Sequence, residues 1–218
     1  MNKVYFSKLL CFILLSTQTK ITNSINLQSI TLPETIMRST TYSVNPIFLN
    51  RISARLMTGE AITQETMHIL LEAARWAPSA YNEQPWYFTY AHRNTPTWNM
   101  LLECLVPGNK SWAQNSAILG IMFAKKTFTR NNKPNPSAIF DTGTAFENMA
   151  LQGSLLGLTV IALGGLDWQK LHQEVQAKLN LLNEYKIVGM FAIGKPKREP
   201  QEISQRKPLD NMYMQLKD

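Results

Sequence analysis

The chain has 218 residues, 44% of them hydrophobic and 17% charged, which fits one globular domain with a real core, alone or with a short extension. Its net charge of +7 is spread thin: Lys3, Lys8, Lys20 and Arg38 against Glu34 place 4 − 1 = +3 in the first forty residues and leave +4 for the rest. That argues against a nucleic-acid groove and suits a small phosphate-bearing ligand, while two cysteines and three scattered histidines form no disulfide framework and offer no metal-ligand spacing.

Residues 1–41 read as an extension, expected to be poorly ordered. Basic residues, a short apolar run from Leu9 to Leu15 and then polar residues outline a secretory signal within residues 1–24, although the cleavage pattern is poor. The run is too short to span a bilayer. A start at Met37, with the upstream residues a mis-assigned beginning, is the alternative. The domain is expected over residues 42–218.

Thr63 to Trp76 reads as a helix with Thr63 as N-cap and Met67, Leu70, Leu71 and Ala74 as its buried stripe. Pro78 stops it. Trp86 to Ala91 is an aromatic-rich strand. Asn99 to Val106 is read as a second helix ended by Pro107-Gly108, so that "PGNKSW" (107–112) is a turn. Ala117 to Ala124 is a continuous apolar run and so a buried strand, and residues 129–137 are a loop by composition. Asp141 is read as the cap of the next helix, which carries Phe146, Met149, Ala150, Gly153, Leu156 and Gly157 on one face. Thr159 to Leu163 is a strand ended by Gly164-Gly165, Asp167 to Leu179 an amphipathic helix and Ile187 to Ile193 the last core strand. The uneven spacing of these elements argues against a simple βαβ array.

Three stretches bear on chemistry. In "NRISARLMTGE" (50–60), Arg51, Ser53 and Arg55 alternate, which in an extended segment aims two guanidinium forks and a hydroxyl the same way. That is a phosphate clamp or, alternatively, a solvated basic face. In "RWAPSAYNEQPWYF" (75–88), Asn82 and Gln84 each carry a donor and an acceptor, matching the imide edge of a flavin, with Ser79 in reach of further ring atoms. The alternative is that they cap a turn. Gly164-Gly165 lacks the third glycine of a dinucleotide fingerprint, and Ser79 has neither a nucleophile elbow nor a nearby histidine.

Taken in order, "NRISAR", "AARWAPSAYNEQPWYF", "LVPGNKSWAQNSAIL", "FDTGTAFENMALQGSLLGL", "GGLD", "FAIGKP" and "RKPL" resemble the FMN-dependent nitroreductase family over residues 42 to 212. The resemblance implies an α+β fold, a three-layer sandwich of a mixed, mostly antiparallel sheet flanked by helices. It also implies an intimate homodimer, with FMN at the interface and terminal segments wrapping the partner. By the same resemblance, Arg51, Ser53 and Arg55 hold the FMN phosphate. Pro78, Ser79, Ala80, Asn82 and Gln84 line the ring and ribityl chain, and Gly164 and Gly165 approach the N5 side. Arg206, assisted by Lys207, reaches the phosphate from the C-terminal segment. Ile52, Ala54 and Tyr81 depart from the family pattern and bear on substrate choice.

The implied activity is oxidoreduction. NADH or NADPH reduces the flavin and leaves, and a nitroaromatic, quinone or similar small electron acceptor takes its place in a ping-pong cycle. The flavin carries the redox chemistry, so no catalytic side chain, no metal and no nucleic acid is expected. A flavin-dependent dehydrogenase or oxidase, or a flavin-consuming enzyme of the same fold, is the alternative. The supply of reduced nicotinamide favours the cytoplasm, against export if residues 1–24 act as a signal.

Overall fold

A computed structural model describes Arg38, residues 40–198 and residues 204–216. The expectation of a poorly ordered segment and signal in residues 1–37 lies outside the described residues.

The elements in chain order are α1 (Ile47–Asn50), α2 (Gln64–Arg75), β1 (Trp86–His92), α3 (Pro96–Glu103), α4 (Pro107–Ala113), β2 (Ile118–Lys125), α5 (Ala138–Leu155), β3 (Thr159–Leu163), α6 (Trp168–Leu179) and β4 (Tyr185–Gly194). The four strands form one sheet in the order β1-β2-β4-β3, and all three pairings are antiparallel. The parallel part of the expected mixed sheet is not seen among the described residues.

The period-2 alternation of strand side chains divides the interior in two. Leu119, Ile121, Phe123, Ile161, Leu163 and Met190 point to one face, joined by Ile187 across a register shift in the β2–β4 pairing, and Trp98 and Leu101 of α3 and Leu171 and Val175 of α6 cover them. Ile118, Met122, Val160, Phe191 and Ile193 point to the other, against Met67, Leu70 and Ala74 of α2 and Ala145, Met149 and Ala150 of α5. The molecule is therefore an α+β sandwich of helix, sheet and helix. Gly153 lets α5 approach β3: a Cβ there would stand 2.5 Å from Val160 Cγ2.

Local chemistry explains most of the boundaries. The Thr63 hydroxyl accepts the Thr66 N–H (3.1 Å) and starts α2. Asp167 starts α6 in the same way, accepting the Lys170 N–H at 3.0 Å. Two expectations are corrected. The helix expected from Asn99 begins at Pro96, because Thr95 accepts the Trp98 N–H and Pro96 takes the first helical position, where its missing N–H costs nothing. It ends at Glu103. "PGNKSW" is not a turn but the start of α4, and Pro107 opens it for the same reason. Among the described residues no helix is long and apolar enough to cross a membrane.

Candidate functional site

The segment after α1 runs along the start of β3. Thr159, buried at that edge, donates its hydroxyl to the Ile52 carbonyl (3.2 Å) and accepts the Ala54 N–H (3.0 Å). Ala54 is thereby turned inward, and Ser53 and Arg55 outward. Arg51 pairs with Glu147 of α5 (Nε to Oε1, 3.5 Å), and its Nη1 lies 3.5 Å from Ser53 Oγ. Arg55 takes a separate partner: its guanidinium lies over the Trp112 ring of α4, 5.8 Å from the centroid. Arg51 and Ser53 are thus brought together, while Arg55 stands further along the same outward edge.

A second arginine, Arg38, joins Arg51, and a third, Arg206, shares a cleft with Arg38. Arg38 Nη1 donates to the Leu49 and Arg51 carbonyls, 2.9 Å each. Burial pushes its pKa down, and the charges of Arg206 and Arg51 push it further. Arg206 itself bonds the carbonyls of Ser204 (3.2 Å) and Gln205 (3.4 Å). Arg38, Arg206 and Lys207, with Tyr42 and Phe48, line a cleft of about 890 Å³ between residues 40–49 and the C-terminal segment.

The second half of the site is the corner between α2 and β1. Ser79 is extended, and the backbone then turns through Tyr81 (φ 55°), Asn82 (56°) and Gln84 (52°). A left-handed backbone costs a non-glycine residue about 1 kcal/mol or more, least for Asn. Polar groups, one of them buried, hold the corner in this shape. Asp141, almost fully buried on α5, accepts the Ala80 N–H at 3.1 Å. Thr144 places its hydroxyl 3.2 Å from the Pro78 carbonyl. Ser79 Oγ accepts the Gln84 N–H (3.0 Å), and Gln84 Nε2 donates to the Asn82 carbonyl (3.1 Å). The Asn82 carboxamide is exposed and has no side-chain partner among the described residues.

The loop after β2 clamps the corner from outside. Glu83 accepts the Thr129 N–H at 2.7 Å, and its hydrogen bond from the Thr129 hydroxyl holds its carboxyl below the usual carboxylate range. Tyr81 meets Phe128 edge-on at 5.7 Å, with the Arg130 guanidinium 3.7 Å from its ring centroid. The role expected of Asp141 is corrected here. Ser137 occupies the N-cap position of α5, and Asp141 lies inside the first turn facing inward, so it anchors the corner instead of capping the helix.

Gly164 and Gly165 follow β3. The Gly165 carbonyl accepts from the Val106 N–H (3.2 Å) and from Asn109 Nδ2 (3.0 Å). A Cβ on Gly165 would fall 2.7 Å from Asn109 Nδ2, whereas one on Gly164 would meet nothing within 4 Å. Gly165 is therefore needed for packing, and Gly164 faces open space. Asn109 and Trp112 lie three residues apart on α4, so one helix face carries both the Gly165 anchor and the platform under Arg55. On α5, Asp141 and Glu147 are separated by ~9 Å along the axis at the ordinary helical rise. That single helix seats the left-handed corner at one point and Arg51 at the next.

Sequence reasoning missed Arg38, Asn109, Trp112 and Thr159, and misread Asp141. A buried carboxylate was signalled only by its apolar helix neighbours Ala138 and Ala145. The other four act on partners remote in sequence, and no local pattern marks them.

The sequence profile described as the nitroreductase family matches residues 49–103, which include the Arg51–Arg55 segment and the Pro78–Gln84 corner. A protein of Archaeoglobus fulgidus provisionally named NADH dehydrogenase/NAD(P)H nitroreductase is 26% identical over 149 residues, 68% of this chain and 83% of its own. A protein of the same provisional name from Rhodopseudomonas palustris is 27% identical over 134 residues, 56% of this chain and 67% of its own. A solved structure described as an oxidoreductase containing FMN is 31% identical, with a TM-score of 0.74 and coverage of 84% of this chain and 96% of that one. On the sequence profile, the relatives and the shared fold, the chain belongs to the nitroreductase family.

Proposed function

We propose that the protein is an FMN-dependent oxidoreductase that takes electrons from NADH or NADPH and passes them to a nitroaromatic, a quinone or a similar electrophile. The observation that carries this reading is the basic cleft lined by Arg38, Arg206 and Lys207, which Arg38 ties to the clamp segment through the Arg51 carbonyl. Such an excess of like charge suits a phosphate. The names of the relatives agree with it: one solved neighbour contains FMN, and the curated relatives are provisionally NAD(P)H nitroreductases.

The residues present fit the cofactor. Arg51, Ser53 and Arg206, with Arg55 and Lys207 beside them, would hold the phosphate. The free carboxamide of Asn82, with Gln84, would meet the ring's hydrogen-bonding edge, and Pro78, Ser79 and Ala80 would line its approach. Gly164 leaves room for close contact, and Gly165 is locked behind it by Asn109. The flavin, when bound, supplies the hydride and electron transfer itself. The protein's part is to fix the phosphate, orient the ring and shield it. No side chain is given an acid or base role.

Donor and acceptor would use one binding place in turn, which makes the kinetics ping-pong. We also propose that two copies complete the site. Phe140 on α5 and Met212, Tyr213, Met214 and Leu216 in the C-terminal segment are all at least 60% exposed, an apolar surface that a second copy would cover. The supply of reduced nicotinamide places the protein in the cytoplasm.

The test is the visible spectrum of the purified protein before and after anaerobic addition of NADPH, then NADH. Flavin bands that bleach with either donor are expected. Bound flavin that neither donor bleaches would overturn the reductase reading but keep the cofactor. A folded protein that cannot be loaded with FMN would overturn both.

A further inference from the structure

We propose that Arg38 is a phosphate-binding residue: the N-terminal segment carries a further arginine into the cofactor site, thirteen residues ahead of Arg51. The inference rests on the flavin reading above.

Three observations carry it. The first is position. Arg38 Nη1 is fixed by two carbonyls, those of Leu49 and Arg51, so its guanidinium is held against the very residue that opens the clamp. The second is an unmet donor. Arg38 Nε is buried and has no hydrogen-bond partner, a state that native interiors rarely leave standing. The third is charge. Arg51 and Arg206 lie near enough for their charges to act on Arg38, while the nearby Glu147 is half-exposed and already paired with Arg51. Arg206 and Arg51 both repel Arg38, and a doubly charged anion beside it removes that repulsion.

A purely structural role accounts for only part of this. Tying down the end of α1 uses Nη1 and its two carbonyls. It explains neither the orphaned Nε nor the approach of Arg206 from the far end of the chain. Arg38 also lines the same cleft as Arg206 and Lys207, which puts all three charges on one opening.

The experiment compares FMN with riboflavin, which has the same ring and ribityl chain but no phosphate. Full-length protein is stripped of flavin, and both affinities are read from flavin fluorescence for the parent, Arg38→Met and Arg38→Lys. Arg38→Met should weaken FMN binding by about ten- to a hundred-fold while riboflavin changes by less than about two-fold, the size of one lost charged hydrogen bond. Arg38→Lys should recover part of the loss, since it keeps the charge and gives up the fork. If Arg38→Met does not fold, the FMN-selective deficit of Arg38→Lys carries the test. An equal loss for both flavins, or none, would reduce Arg38 to a tie between Leu49 and Arg51 and overturn the proposal. A parent protein that binds neither flavin would overturn the cofactor reading, and Arg38 with it.

Discussion

The two halves of the site are under different kinds of tension. Around Arg51 the backbone is relaxed: residues 51–55 leave α1 in an extended course that Thr159 holds by two ordinary hydrogen bonds. The cost there is electrostatic: Arg38 is held against the Arg51 carbonyl, and the charges of Arg206 and Arg51 both act on it. At residues 79–84 the charges are few and the backbone bears the cost, with three left-handed residues that are not glycine. The first tension falls when an anion arrives. The second is paid at all times, by Asp141 from beneath and by Glu83 and Tyr81 from the loop side. On the proposed function, charge would select the ligand at one end and a preset backbone would shape the other.

Substitutions that touch one half alone sharpen this contrast. The largest effect is expected from Arg51→Ala combined with Arg206→Ala. FMN affinity should fall by on the order of a hundred-fold or more, the worth of two charged hydrogen bonds, with the apoprotein as stable as the parent or more so. Flavin titration and thermal unfolding check the two parts. Asp141→Ala should act the other way round. It leaves the Ala80 N–H without its partner and should cost about 1–3 kcal/mol of folding stability, weakening FMN and riboflavin alike. Denaturant unfolding reads the first number, and a stability equal to the parent's would remove Asp141 as the anchor.

Gln84→Gly should relieve one left-handed residue and raise stability by about 0.5–1 kcal/mol while weakening flavin binding. A variant that is both less stable and unchanged in binding would break the idea that strain is kept there for function. The smallest effect concerns pH. Glu83 titrates below its ordinary range because of the Thr129 hydroxyl. Its contribution is therefore complete above the unfolded carboxylate value and is lost as pH falls through the lower, folded one. Hydrogen exchange at the Thr129 amide, corrected for the intrinsic rate, should lose protection on acidification, and Glu83→Gln should lack that transition.

How much of this was legible in the sequence depends on the range of the interactions involved. Thr63, Asp167 and β3 were readable because a cap and a short apolar run ended by glycines act within a few residues. Pro107 was misread as a helix end because proline serves as a stop or as a first helical residue; here α3 has already ended at Glu103 and Pro107 opens α4, whose Trp112 and Ala113 pack on the core. Asp141 looked like a cap because caps are where Asp is common; its true partner is sixty-one residues upstream. The grouping of Arg51 with Ser53 was legible, but the turn of Arg55 toward Trp112 was not, since it depends on where α4 falls. Arg38 was hidden by its setting, a polar stretch whose composition predicts little order.

The strand order has a consequence for how the molecule is made. β3 lies at the sheet edge and pairs with β4 alone, and β4 is the last of the described strands to be translated. Until Gly194 has left the ribosome, Thr159 has no strand beside it, and the Arg51 segment lacks the hydroxyl that holds it in place. β1 and β2 can pair much earlier, so the left-handed corner just ahead of β1 has a partial scaffold first. The nascent chain thus has a scaffold for the corner at residues 79–84 before it has one for the Arg51 segment, which waits for β4.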